Sequence, residues 1–180
     1  GTNPAYEQSP LDLELVNSIV NDKIENAVEA LESGANPNAF DKKALPAILL
    51  ASSRQQSKVI QKLIEKGADI NARGTDKKQS IFKLSPITAA SANGSIDIVK
   101  SLIEAKAKSV SQYCKTGRTH LMDAMPVRMD QSLLAWASQL KQQLKNLRAV
   151  QPAIQTLAQG GTAVGTGVNA HADFATTFSD

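Results

Sequence analysis

The sequence predicts an all-α fold: a stack of paired helices that gives way to one long helix and then a glycine-rich turn. Three observations carry this expectation. One phrase recurs along the first two thirds of the chain at intervals of 33 to 39 residues. Apolar residues are then spaced by seven, at Leu133, Leu140, Leu147 and Ile154. Last, Gly160–Asn169 holds four glycines in ten residues, a density that calls for tight turning with positive φ angles.

The recurring phrase has two parts. The first reads Leu31-Glu-Ser-Gly-Ala-Asn-Pro-Asn38, then Leu63-Ile-Glu-Lys-Gly-Ala-Asp-Ile-Asn71, then Leu102-Ile-Glu-Ala-Lys-Ala107. The second precedes two of these: Ala51-Ser52, Val59-Ile60 and Leu63-Ile64 are matched 39 residues later by Ala90-Ser91, Ile98-Val99 and Leu102-Ile103. A further start stands at Gly117-Arg-Thr-His-Leu-Met-Asp-Ala124, with Ala124 following Ala90 by 34. Self-similarity at such a period marks an architecture in which each unit buries its apolar face against its neighbours.

Each slot of the phrase has a physical role. Ser85 can cap a helix, and Pro86 suits the first turn, where its missing N–H does no harm. Small residues at Ala89 and Ala90 let two helices lie close. Val59, Ile60, Leu63 and Ile64 recur at helical spacing and face the neighbouring unit. Gly67 ends the second helix in a left-handed conformation, and Asp69 and Asn71 shape the turn after it. With these slots, residues 11–124 resemble the ankyrin repeat, most closely over 11–111. The resemblance implies a helical stack that recognises another protein by its surface.

Departures from the pattern are also legible. Gln55 stands where the inter-helix glycine belongs, Pro46 comes one residue early, and Lys106 replaces the last terminal glycine. Six additional residues fall between Asn71 and Ser85, within Arg73–Leu84. An insertion there lengthens the rim loop of the stack, which makes Arg73, Lys77, Lys78, Ile81 and Phe82 the candidate binding residues. Ile81, Phe82 and Leu84 either fold back on the core or contact a partner.

After Ala124 the pattern changes. Met125-Pro126-Val127 interrupts a helix, and the seven-residue spacing begins. Ala137 and Leu144 join the same seam, with Trp136 and Leu157 beside it, on a helix expected from about Met129 to Ala158. That length, about 45 Å at helical rise, asks for partner helices, including a second copy of the chain through residues 129–158. Pro152 falls near its end, and Gln139, Lys141, Gln142, Gln143, Lys145, Asn146 and Arg148 cover the remainder.

The glycine-rich stretch is neither a dinucleotide-binding nor a Walker phrase, since no lysine follows the glycines. Read together, Gly117-Arg-Thr-His-Leu-Met-Asp-Ala-Met-Pro126 and Leu157-Ala-Gln-Gly-Gly-Thr-Ala-Val-Gly-Thr-Gly-Val-Asn169 resemble class II fumarase, of the fumarase/aspartase superfamily, over residues 117–175. The resemblance implies that Thr119 and His120 contribute to a dicarboxylate site, with the histidine in a charge relay to a glutamate. It also implies that Gly160, Gly161, Thr162, Gly165, Thr166, Gly167 and Asn169 turn near that site. The family's serine-bearing loop phrase has no counterpart here, and its sites are built from several subunits. Proton abstraction needs a positioned base, and no residue of this chain presents itself as one. Under the alternative ankyrin reading, Thr119 is a helix cap and His120 fills the usual proline slot.

Composition limits the function classes. The net charge of +3 divides into 14 Lys+Arg against 13 Asp+Glu in residues 1–114 and 6 against 4 in residues 115–180. Arg73, Lys77, Lys78 and Lys83, with Asp76 among them, read as a solvated loop, and aromatics at 4% leave few stacking platforms, so nucleic acid is not an expected partner. The longest apolar run, Ala44–Ala51, is too short to cross a bilayer. A single cysteine, Cys114, and no leader-like opening suggest the cytoplasm. No metal or cofactor is expected. The sequence thus predicts two parts, ankyrin repeats over 11–114 and a fumarase-like helical segment over 115–180. Together they form an interaction module without independent catalysis, or else a lyase fragment that contributes to a shared site in an oligomer.

Overall fold

The structure, a computed structural model, describes residues 7–74, 84–155 and 160–179. These form helices α1 Pro10–Val20, α2 Ile24–Glu32, α3 Ala47–Ser53, α4 Ser57–Glu65, α5 Pro86–Ala92 and α6 Ile96–Ser109. Then come strands β1 Cys114–Thr119 and β2 Met122–Arg128, and helices α7 Met129–Gln155 and α8 Phe174–Ser179. By internal contacts the chain divides into two compact units, Gly1–Ser138 and Gln139–Asp180.

In the first unit, α1–α6 make three antiparallel pairs in two layers. The inner helices α1, α3 and α5 pack in sequence, as do the outer helices α2, α4 and α6. A continuous core runs through the pairs from Leu15, Ile19 and Leu31 to Ile48, Leu49, Ile60, Leu63 and Ile98. Each such side chain, fully buried, contributes about 2 kcal/mol. The slots read from the sequence have their expected places. Val59, Ile60 and Leu63 are buried, Ile64 packs beside them, and Ala89 and Ala90 are buried where α5 meets its neighbours.

The ends of the helices follow from the same residues. Ser9 caps α1 in a reciprocal box: its hydroxyl accepts the Asp12 N–H, and the Asp12 carboxylate accepts the Ser9 N–H at 2.8 Å. Ser85 caps α5 by accepting the Thr88 N–H at 3.3 Å, with Pro86 in the first turn. Gly67 sits at φ +86°, which lets the Ala68 N–H reach back to the Leu63 carbonyl at 2.9 Å, a closure that L side chains resist. Between α3 and α4, Gln55 adopts the left-handed conformation of the missing glycine, with φ +59°. Pro46, one residue early, stands outside α3 as its cap residue in extended conformation. Because Lys106 cannot stop α6 as glycine would, that helix runs for 14 residues, against 9 in α2 and in α4.

Hydrogen bonds tie one pair to the next. The Gln56 amide, buried, donates to the Ile19 carbonyl at 2.9 Å and to Asp22 Oδ1 at 2.7 Å. Asn93 repeats the device one pair later, donating to the Ser53 carbonyl at 2.9 Å. On the loop side, the Asn36 N–H donates to Asp12 and the Asn38 N–H to Asn36. The Asp69 N–H then donates to Asn38, and the Asn71 N–H to Asp69. The two copies of the terminal phrase are thus one connected ladder.

The phrase beginning at Gly117 does not fold as another repeat's helix. It forms an antiparallel hairpin in which Cys114 pairs with Arg128, Lys115 with Val127, and Thr119 with Met122. His120 and Leu121 make the two-residue turn, at φ +52° and +62°, the sign at both positions that matches strand twist. The register shifts at Gly117. A Cβ there would lie 2.6 Å from the Met125 carbonyl oxygen, so the bulge requires glycine.

The long helix begins at Met129, where it was expected, and is described to Gln155, running through Pro152. Residues 156–159 lie outside the described residues, so the expected reach to Ala158 does too. In the second unit the chain turns through 160–173 into α8, where Phe174 and Phe178 stack with ring centroids 6.0 Å apart.

Candidate functional site

Of the rim-loop residues, Arg73 is described and exposed, while Lys77, Lys78, Ile81 and Phe82 lie outside the described residues. Leu84 folds back and packs against the core. The base of the lengthened loop is therefore anchored in the stack.

The hairpin gives Thr119 and His120 a shared place. Its two-residue turn sets them next to each other at the tip, with Thr119 Oγ1 and His120 Nδ1 2.7 Å apart. Both side chains are exposed, as are Leu121, Met122 and Met125 around them. A hydroxyl bonded to an imidazole can pass a proton. At the base of the hairpin, Arg128 grips the buried Asp130 through two bonds, of 3.1 and 2.8 Å, and its N–H donates to Gln131 Oε1. This fixes the junction from β2 into α7. The sequence reading did not single out this pair. Its signal was an Arg and an Asp flanking the first residue of the expected helix.

In the second unit, the glycine-rich turn places Gly160, Gly165 and Gly167 at positive φ, together with Thr162 and Asn169. The Gly167 N–H closes the turn on the Gly161 carbonyl at 2.9 Å, and Ala170 N–H follows onto Gly167 at 3.0 Å. Thr166 is exposed on the turn. Among the described residues, no group of three His, Cys, Asp or Glu side chains converges as a metal site.

The α7 seam has an uneven fate. Ala137 is buried, at 3% exposure, and Leu133, Leu140 and Leu144 are half-buried. Leu147 and Ile154, in contrast, are 62% and 69% exposed, and Val150 beside them is 51% exposed. Among the described residues no helix is long and apolar enough to cross a membrane.

Titration shifts fall on the stack. The Lys58 ammonium, bonded to Glu25 at 3.1 Å, holds that carboxyl below its ordinary value. Lys62 bridges Glu65 and Glu32, and their hydrogen bonds hold its ammonium above its ordinary value. The Lys58–Glu25 and Lys62–Glu32 pairs connect α4 to α2, and Lys62–Glu65 lies within α4.

Two families match the sequence. The one described as ankyrin repeats in three copies matches residues 49–131, and the one described as lyase matches residues 93–180. The chain therefore joins ankyrin repeats to a fumarase-like segment, and the two matches overlap across α6 and the hairpin. The first helix pair, α1–α2, precedes the ankyrin match yet is built in the same way. Among curated proteins, the chain is 59% identical over 81 residues to Fumarate hydratase class II 2 of Pseudomonas aeruginosa, covering 45% of this chain and 18% of that protein. It is 50% identical over 70 residues to Fumarate hydratase class II of Thermus thermophilus, covering 39% and 15%. With the same enzyme of Corynebacterium efficiens it shares 43% over 90 residues, covering 48% and 19%. The chain spans less than a fifth of the length of these relatives.

Proposed function

We propose that this chain, ankyrin repeats joined to a fumarase-like segment, is a protein-interaction module without independent catalysis. In this reading residues 11–114 recognise a target through the stack and the rim loop at Arg73–Leu84, with Arg73, Lys77, Lys78, Ile81 and Phe82 as the contact residues. Residues 115–180 supply a second contact through α7, and the protein works in the cytoplasm. The observation that carries the reading is the outer part of α7, where Leu147 and Ile154 stand exposed on a seam that a free helix would not keep.

A second reading is favoured by one observation, the contact of Thr119 Oγ1 with His120 Nδ1 at the hairpin tip. In it, the segment presents one wall of a dicarboxylate site, and other chains supply the base and the remaining substrate contacts. The two readings separate in one experiment: calorimetric titration of fumarate into the chain, with His120→Ala alongside, and an assay for fumarate hydration. The interaction reading predicts no heat, no turnover and no effect of the substitution. Saturable fumarate binding that His120→Ala abolishes would replace it with the second reading.

A further inference from the structure

The chain holds one Asn-Gly step, Asn93-Gly94, and the turn between α5 and α6 is built on it. Asn93 closes α5 with its N–H on the Ala89 carbonyl at 3.3 Å. Its side-chain amide ties the third helix pair to the second, donating to the Ser53 carbonyl at 2.9 Å. Gly94, at φ +68°, donates its N–H to the Ser91 carbonyl at 3.1 Å, and the Ser95 N–H reaches back to the Ala90 carbonyl at 2.9 Å. Both residues of the step are exposed, so water reaches them. The corresponding tie one pair earlier is made by Gln56, which is buried and followed by Ser57. The two ties differ in their chemistry.

The side-chain carbonyl carbon of an asparagine is open to attack by the backbone nitrogen of the next residue. The new N–Cγ bond closes a five-membered ring, the Cγ–Nδ2 bond breaks, and ammonia leaves with the proton of the attacking nitrogen. Water then opens the ring at either carbonyl and leaves aspartate or isoaspartate, with nothing oxidised or reduced. Glycine is the least hindered successor, because no Cβ shields its nitrogen. At Gln56 the same attack needs a six-membered ring and a serine nitrogen. In the closed stack the geometry of Asn93 opposes the attack. Its ψ of 1° sets the Gly94 nitrogen eclipsed with its own backbone nitrogen, whereas ring closure needs that nitrogen swung beside Cβ. The swing breaks the bonds of Gly94 to Ser91 and of Ser95 to Ala90, and it redirects the start of α6. We propose that Asn93-Gly94 is a self-modification site, protected while the third helix pair is closed and released when that pair opens. The change does not reset. Aspartate sets a carboxylate against the Ser53 carbonyl oxygen, where the amide donated. Isoaspartate moves the carboxylate and adds a carbon to the backbone between α5 and α6. Either product holds the third pair to the second less firmly, so the site is a one-way record of stack opening.

The test incubates the full chain at mildly alkaline pH and follows position 93 by peptide mapping with mass spectrometry, which separates asparagine, aspartate and isoaspartate. Unfolded in urea, Asn93 is expected to react at least about tenfold faster than in the folded chain. Ser85→Ala removes the cap of α5 and is expected to speed the folded-state reaction about fivefold. Ser9→Ala weakens the cap of α1 instead and leaves the rate unchanged, and circular dichroism verifies that each variant keeps its helices. After the reaction, amide exchange in Pro86–Ser109 is expected to be faster than in the fresh chain, with α1 and α2 as before. Asn93→Asp reproduces this loosening, and Asn93→Ala, which removes the donor without adding charge, does so to a smaller degree. Equal rates in the folded and unfolded chain overturn the protection. Equal acceleration by the two cap variants overturns release by the third pair in favour of global unfolding. Unchanged exchange in α5 and α6 after the reaction overturns the loosening.

Discussion

The carboxylate of Asp12, at the start of the first helix, accepts the backbone N–H of Asn36 at 2.6 Å, 24 residues further on. Its other oxygen accepts the Ser9 N–H at 2.8 Å, and the side chain is almost wholly buried. One charge therefore closes the cap of α1 and begins the ladder that continues through Asn38 to Asp69.

Asp12→Ala leaves two part-buried N–H groups without their acceptor, and hydrogen bonds to a charged group contribute about 1.5–3 kcal/mol each. The expected loss is roughly 3 kcal/mol of stability, measured by urea unfolding. Ser9→Ala, which removes only the hydroxyl half of the cap, is expected to cost about 1 kcal/mol.

Gln55 at φ +59° occupies a conformation that costs an L residue roughly 1–2 kcal/mol. Gln55→Gly relieves that strain at an exposed site but adds backbone freedom to the unfolded chain, which offsets about half of the gain. The expected outcome is a stabilisation of about 0.5–1 kcal/mol, read as a higher urea midpoint with an unchanged slope.

Gly117→Ala places a methyl group against the Met125 carbonyl oxygen, at a distance that the backbone must shift to relieve. The hairpin is expected to lose pairing locally, seen as faster amide exchange in Cys114–Arg128. Exchange in α3 and α4 is expected to stay as it was.

Stability is expected to fall at both ends of the pH range for separate reasons. Glu25 is held below its ordinary value chiefly by the hydrogen bond from Lys58, so its contribution is present above the unfolded carboxyl range and is lost as pH falls through the lower, folded one. Lys62 is held above its ordinary value by Glu65 and then Glu32. Its contribution is present below the unfolded lysine range and disappears as pH rises through the folded one. Urea midpoints measured against pH should show a plateau between these limbs, with Lys58→Met weakening the acid limb and Lys62→Met the alkaline one. High salt should shrink both effects.

Much of the stack was legible because its rules are local. Ser85 and Pro86 announced the start of α5, Gly67 the end of α4, and Val59, Ile60 and Leu63 the buried face between them. The start of α7 at Met129 followed from its seven-residue spacing. The hairpin was not legible in the same way. Gly117-x-Thr-x-Leu-x-x-Ala satisfies a repeat's helix start as well as the second resemblance. What decides between them is the close approach of Gly117 to Met125, a contact made only once the strands have paired. The cap made by Ser9 and Asp12 was not singled out from the sequence, and the Asp12 bond to Asn36 depends on how α1 and the loop after α2 come together. Of the candidate binding residues, Arg73 alone falls among the described ones, while Thr119 and His120 are neighbours in the sequence itself. Their exposure at a turn comes from the hairpin.

The most direct test of the interaction account is the absolute mass of the chain in solution, by light scattering behind a sizing column at several concentrations. The account predicts a single species near 19.2 kDa throughout. A stable tetramer at every concentration would contradict it, and would direct attention to the shared dicarboxylate site instead.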